Sequence, residues 1–234
     1  MSTAPGTVLL SGIVGSTAYG LAHAGSDVDR LGVFAAPTED IHGLHRPAES
    51  HVTTAPDRTL HEAAKWCRLA LAGNPTAAEL VWLPDELYEV RTPLGEELIA
   101  IRGSFLGARA VRSAYLGYAT QQLRKLRTRD TSDPVTRARA AKHARHLVRL
   151  LDQAVHLHES GRNLVRLPDA GRVRDLGERI VEDPARAERL LAAAAERLDR
   201  PGVLPDRPDE RPADAWLRRV RAAHWTHRPP DTQA

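Results

Sequence analysis

Asp27-Val28-Asp29 comes shortly after a Gly15-Ser16 pair, and these four residues set the chemistry open to the chain. Side chains alternate across an extended segment, so Asp27 and Asp29 project from one face about 7 Å apart. Two carboxylates so placed repel each other unless a cation sits between them. Mg²⁺ accepts one or two carboxylates together with phosphate oxygens. Gly15 lets a bulky anion approach the backbone. Ser16 suits the N-cap of a short helix from Thr17 to Ala22, whose first N–H groups are open to a phosphate. The combination asks for a divalent metal and a polyphosphate side by side.

The elements that must hold these residues are legible nearby. Val8 to Val14 is short, apolar and rich in β-branched residues, and Gly15-Ser16 ends it, which predicts a buried strand. Gly25-Ser26 turns the chain into a second strand, Val28 to Phe34, carrying Asp27 and Asp29 at its start. An isolated Asp-x-Asp is ordinarily a solvated strand end, and an isolated Gly-Ser is ordinarily a cap. Strand, turn, short helix, Ser-Asp-x-Asp and second strand in this order are more specific.

Gly15-Ser-Thr-Ala-Tyr-Gly20 followed by Ser26-Asp-Val-Asp29 resembles the signature of the DNA polymerase β-like nucleotidyltransferase superfamily. Within it, the stretch is similar to a branch of predicted bacterial and phage nucleotidyltransferases, some associated with RNA repair. The branch pattern continues through Asp57-Arg-Thr-Leu-His-Glu-Ala-Ala-Lys65, Gly73-Asn74-Pro75 and Glu79-Leu80. It extends to Lys142-His143-Ala-Arg-His146-Leu-Val-Arg149 and Gly161 to Pro168, and so reaches about Ile180. The resemblance implies an α+β fold: a small mixed β-sheet nucleotidyltransferase domain with flanking helices, followed by an α-helical domain. It implies Mg²⁺ or Mn²⁺ held by Asp27, Asp29 and Asp57, with Gly15, Ser16 and Ser26 at the nucleotide.

Asp57 is the third acid by that spacing. Glu39, Asp40 and Glu49 are alternatives that rank lower because they sit on a loop between Pro37 and Pro47 or just beyond it. Asp57 follows a short β-prone run, His51 to Thr54. It also precedes a helix expected from about Leu60 to Ala72, which leaves it the simpler role of N-cap. Lys65 on that helix is either a solvated lysine or, as the branch pattern implies, a phosphate contact. Cys67 falls on the face of Leu60, Ala64 and Leu71 and reads as a small core residue. Glu79 lies among Ala78, Leu80 and Val81, where a carboxylate needs a basic partner.

Gly73-Asn74-Pro75 ends one helix and starts another, and Thr92-Pro93-Leu-Gly-Glu96 opens a helix to about Ile101. Beyond Gly103-Ser104 the chain turns helical. Helices are expected over Ser104 to Arg127, Pro134 to Ser160, Val173 to Val181 and Pro184 to Leu198, with a polar loop from Thr128 to Asp133. Lys142, His146 and Arg149 share one face of the second of these. They form either a solvated basic face or a cleft wall contacting triphosphate or acceptor. His143 with His146, or His156 with His158, makes only a weak metal pair. Arg174 and Glu178 suit an i,i+4 pair. The chain therefore divides into residues 1–103, 104–200 and a Pro/Arg-rich C-terminal tail, 201–234, carrying a short helix from Ala213 to Trp225. Met1 to Thr7 reads as a flexible lead-in, and the last residues as disordered.

Composition is permissive. The 234 residues are 42% hydrophobic and 27% charged, which suits a globular domain with a good core. Aromatics at 4% leave that core to Leu, Val and Ala. A net charge of +3 suits a nucleotide or RNA without demanding one. The single cysteine excludes an internal disulfide, and no apolar run has membrane-spanning length. The expected protein is cytoplasmic, without a membrane partner. Its expected partners are a nucleoside triphosphate and an acceptor hydroxyl. An RNA end comes first as acceptor, then a protein hydroxyl as in antitoxin-type AMP transfer, then a small antibiotic. A catalytically silent nucleotide- or RNA-binding module is the reading from another class.

Overall fold

A computed structural model describes residues 6–127 and 133–225. Apolar β1 (Thr7–Ile13) runs into a one-turn helix, α1 (Gly15–Tyr19), and the chain returns as β2 (Arg30–Ala35). Then come α2 (Thr38–His42), β3 (Ser50–Thr54), β4 (Asp57–Glu62), α3 (Ala63–Leu71), α4 (Pro75–Glu79), β5 (Tyr88–Arg91) and α5 (Pro93–Ala100). The remaining elements are α6 (Ala108–Arg127), α7 (Pro134–Ser160), α8 (Ala170–Glu182), α9 (Ala185–Leu198) and α10 (Glu210–Ala223). The fold is α+β, with a mixed sheet and flanking helices followed by a helical region.

The sheet has the order β3-β4-β2-β1-β5. Only β2 and β4 run parallel, with Arg30 beside Arg58 and Val33 beside His61. Alternation sorts the two faces of β2. Leu31, Val33 and Ala35 enter the main core, while Phe34 and Ala36 join Leu60 in a small cluster under Val8 and Ile41 on the opposite face.

Several local expectations change. Thr7 belongs to β1 rather than to a lead-in. Val14, not Ser16, takes the N-cap position of α1 and makes no side-chain cap bond, and the helix opens at Gly15 with a left-handed φ of 68°. The second strand begins at Arg30, so Asp27 and Asp29 precede it. Asp29 still continues the ladder, its carbonyl accepting from Val14 N at 2.9 Å. The helix expected from Leu60 starts at Ala63, since Leu60 is a strand residue; its N-cap is Glu62, whose side chain accepts from Ala64 N. Glu39 and Asp40 lie on α2 rather than a loop. The helix expected from Ser104 starts at Ala108, after a 3₁₀ turn over Arg102–Phe105. Helix α7 has the expected limits, with Asp133 capping its start and Gly161 its end. The expected loop Thr128 to Asp133, except Asp133, and the expected disordered end from residue 226 lie outside the described residues, as do residues 1–5.

Helices α6, α7 and α9 pack together, with α8 against α7. The hydrophobic core continues from the sheet through these helices. Helix α10 returns to the N-terminal half and packs on α3 and α5. Trp216 is fully buried there, donating from Nε1 to Leu94 O at 2.8 Å. Arg221 grips Glu62 with two bonds of 2.6 and 3.0 Å. The paired ends of that contact are charge-assisted and matched in shape. Among the described residues no helix is long and apolar enough to cross a membrane.

Replacing Trp216 by Ala is expected to cost about 3–5 kcal/mol, measured by equilibrium denaturation; a loss below about 1 kcal/mol would show that α10 is dispensable to the sheet half.

Candidate active site

A cavity of about 630 Å³ opens between the sheet and the helical region, a size suited to a small-molecule ligand. One wall carries Gly15, Ser16, Ser26, Asp27 and Asp29 from the β1–β2 connection, and Asp57, Thr59 and His61 from β4. The facing wall carries Gln122 and Lys125 of α6 and Lys142, His143, Arg145, His146 and Arg149 of α7. The cleft is therefore acidic on the sheet side and basic on the helical side.

Gly15 shows why the turn needs its residue. A Cβ there would lie 2.1 Å from Asp29 Oδ2, and the backbone already has a left-handed φ of 68°. Absence of a side chain thus lets the Asp29 carboxylate come against the turn. Asp57 reaches the same wall because β4 lies parallel to β2 and starts beside its acidic approach. Burial raises the pKa of the Asp29 carboxyl above the ordinary aspartate range, and Asp57 and Asp27 push it further while Lys142 works against them. Asp27 and Asp57 are exposed.

Three carboxylates and no soft ligand form a donor set for a hard cation, and the mutual repulsion felt by Asp29 is what such an ion relieves. The side chains are of the type a divalent metal takes, without being gathered closely enough to hold one as they stand. Among the described residues, no three acidic, histidine or cysteine side chains are drawn together as a finished metal cage. Of the alternative acids, Glu39, Asp40 and Glu49 do not line the cleft, and Glu49 is paired with Arg68.

Beneath the cleft lies a buried cluster that joins its two walls. The Tyr19 hydroxyl donates to the Glu79 carboxylate, 2.8 Å from one oxygen and 3.0 Å from the other. The Arg149 guanidinium lies 3.7 Å from that carboxylate and 4.0 Å above the Tyr19 ring. Arg149 also donates to Gln153 Oε1 at 2.6 Å and meets His146 Nδ1 at 3.1 Å. A guanidinium can only donate, so His146 Nδ1 accepts and its ring is neutral. Burial, then the Arg149 charge, pushes its pKa down to about 3. Burial pushes the Glu79 carboxyl up to about 7 against the opposing pull of Arg149 and Tyr19. Glu79 thus has the basic partner its apolar surroundings require.

The structure therefore gathers Gly15, Ser16, Ser26, Asp27, Asp29, Asp57, Lys142, His146 and Arg149 around one cleft. Arg149 is only 1% exposed and occupied by Glu79 and Gln153, so it underlies the cleft more than it faces it. Lys65 is not among the lining residues; its Nζ donates to Ser50 Oγ at 2.8 Å. Arg174 and Glu178 do not pair with each other. Arg174 reaches the Gly20 carbonyl at 2.9 Å, and Glu178 meets Arg145 at 3.5 Å. Cys67 is buried as expected, its thiol pushed up to about 12 by burial.

Sequence reasoning passed over Tyr19, His61, Gln122, Lys125 and Arg145. His61 had a signal, the period-two spacing Asp57, Thr59, His61, hidden by reading a helix from Leu60. Lys125 had none, because only the packing of α6 on α7 brings it to the cleft.

A nucleotidyltransferase-like protein from Exiguobacterium sibiricum is a structural match at 13% identity and a TM-score of 0.28, covering 93% of this chain and 72% of the other. Among curated proteins none matches. The family model for the RNA repair pathway DNA polymerase beta family matches residues 2–218. With that match spanning nearly all of the turn, sheet and helical wall described above, the chain belongs to the RNA repair pathway DNA polymerase beta family and is a polymerase β-like nucleotidyltransferase.

Proposed function

We propose that the chain moves a nucleoside monophosphate from a nucleoside triphosphate to a hydroxyl at an RNA end, with release of pyrophosphate and with Mg²⁺ or Mn²⁺ held by Asp27, Asp29 and Asp57. The observation that carries this reading is the close seat of the Asp29 carboxylate against Gly15, with Asp57 on the adjacent strand and a basic wall opposite.

Bound divalent ions would screen the triphosphate oxygens and lower the pKa of the acceptor hydroxyl. The chain's own residues do the rest. Gly15 and Ser16 anchor the β- and γ-phosphates, and Ser26 lies at the nucleotide beside them. The acceptor oxygen forms a bond to the α-phosphorus, the bond to the β-phosphate oxygen breaks, and Asp57 helps take the hydroxyl proton. Lys142 on α7 faces the negative charge that grows on the departing pyrophosphate. Neutral His146 offers a hydrogen bond there without adding charge. Arg149 acts from below by holding His146 and α1. An RNA end is preferred over a protein hydroxyl because the family is an RNA repair one and the helical wall is basic.

Incubating the full chain with each labelled nucleoside triphosphate, Mg²⁺ and RNA tests this. Label on RNA supports it. Label on a co-purified protein, or saturable binding with no label transferred, overturns the RNA acceptor or the transfer itself.

Asp29→Asn is expected to lower transfer by ~10²–10³ or more without lowering the denaturation midpoint at pH 7. The sign follows from the raised carboxyl: the folded state disfavours the charged form that the substitution removes. Retained turnover would remove the mechanism.

Gly15→Ala combines a left-handed backbone with a contact onto Asp29. It should lose about 1–2 kcal/mol of stability and more than ~10-fold in kcat/KM, equivalent to over about 1.4 kcal/mol. Wild-type kinetics in this variant would mean that Asp29 is not held by the turn.

A further inference from the structure

His61 stands on the same face of β4 as Asp57 and Thr59, and all three line the cleft. Four residues along a strand put it about 13 Å from Asp57. Strand β4 lies on the side of β2 away from β1 and its Gly15-Ser16 turn. Asp29 lies beside the start of β4, where Asp57 stands, and His61 lies four residues further along that strand, farther from the turn than either. In an in-line displacement the acceptor approaches opposite the departing pyrophosphate. An acceptor with its hydroxyl at Asp57 runs along β4, past Thr59, to His61.

The His61 ring is held from behind. Ser50 is its partner across the β3–β4 ladder, and Ser50 Oγ lies 2.8 Å from His61 Nδ1. Lys65 Nζ donates to the same Oγ at 2.8 Å. An ammonium has only protons to give, so Ser50 receives one bond from Lys65. The Ser50 hydroxyl still has its own proton to give, and His61 Nδ1 at 2.8 Å is the acceptor within reach, an arrangement that favours Nδ1 as acceptor. Burial, then the Lys65 charge, lowers the His61 pKa below the ordinary histidine value, which keeps the ring neutral at pH 7. With Nδ1 accepting, the one ring proton sits on Nε2.

We propose that Lys65, Ser50 and His61 form a hydrogen-bond relay that fixes His61 as an Nε2–H donor to a backbone phosphate oxygen of the RNA acceptor. His61 is then a specificity-determining residue for the acceptor. Lys65 is a positioning residue that acts through Ser50 without touching the nucleotide. The inference rests on the RNA-end reading above. With its proton on Nε2 and Nδ1 occupied by Ser50, the ring has no free lone pair and can only donate toward the cleft.

Two measurements on the full chain test it. The first is the long-range ¹H–¹⁵N spectrum of the histidine rings at pH 7, with His61 assigned through His61→Gln. The expected wild-type signature is a bare Nδ1 and a protonated Nε2, becoming a mixture of tautomers in Ser50→Ala and Lys65→Met. The second is steady-state transfer to an oligoribonucleotide. His61→Ala should raise the acceptor KM about tenfold and leave the triphosphate KM within about twofold, a difference below RT. His61→Gln, which keeps an N–H donor at similar reach, should recover part of that loss. A protonated Nδ1 in the wild-type chain overturns the relay. An unchanged acceptor KM in His61→Ala overturns the acceptor contact. Failure of the wild-type chain to label any RNA falls on the function reading and takes the acceptor contact with it, while the ring signature still decides the relay on its own.

Discussion

The cleft exists because one buried guanidinium holds its two walls together. Arg149 of α7 reaches Glu79 of α4 and stacks on Tyr19 of α1, and none of the three is exposed. Such a pair is poor evidence for stability, because desolvating both charges offsets most of their attraction. Its value lies in geometry. An unpaired charge at that depth would cost about 3–5 kcal/mol, and a guanidinium cannot shed its proton, so sliding α7 past the sheet without a new partner for Arg149 is strongly opposed. The cationic side chains of α7 thereby keep their height above the aspartates. The same contact fixes α1, and with it the turn that seats Asp29.

Opposite charges facing each other across the cleft explain how a cluster of carboxylates is tolerated. Asp29 is partly buried beside two other acids, which alone would favour its protonated form. Lys142 eases that only in part. The sheet side is thus under electrostatic tension, and the cationic side chains of the helical wall stand opposite it. Rigid placement of these groups before the ligand arrives is how a site stabilises charge without reorganising.

What could be read from the sequence was what the chain keeps local. Gly15, Ser16, Asp27 and Asp29 lie within one strand–turn–strand unit, and their nearness in sequence is kept as nearness along one wall of the cleft. Asp57 was harder. Strand β4 has one buried aliphatic side chain, Leu60, among Arg58, Thr59 and His61. It is a strand because β2 and β3 pair with it, not because its residues prefer one. Arg149 shows another limit. Helical periodicity grouped it correctly with Lys142 and His146, but it cannot tell which of three cations on one face is exposed and which is sealed beneath. The role of α10 was out of reach as well. Trp216 and Arg221 have meaning only against Leu94 and Glu62, more than a hundred residues earlier.

That last contact bears on how the protein is made. The groove between α3 and α5 is among the earlier structures to leave the ribosome, yet the helix that fills it is the last of the described elements. Since N-terminal segments ordinarily settle first during synthesis, the sheet half waits with the Trp216 site uncovered while more than a hundred further residues are added. A polypeptide that stops short of α10 has every residue of the cleft and leaves the faces of α3 and α5 that Trp216 and Arg221 cover open to water.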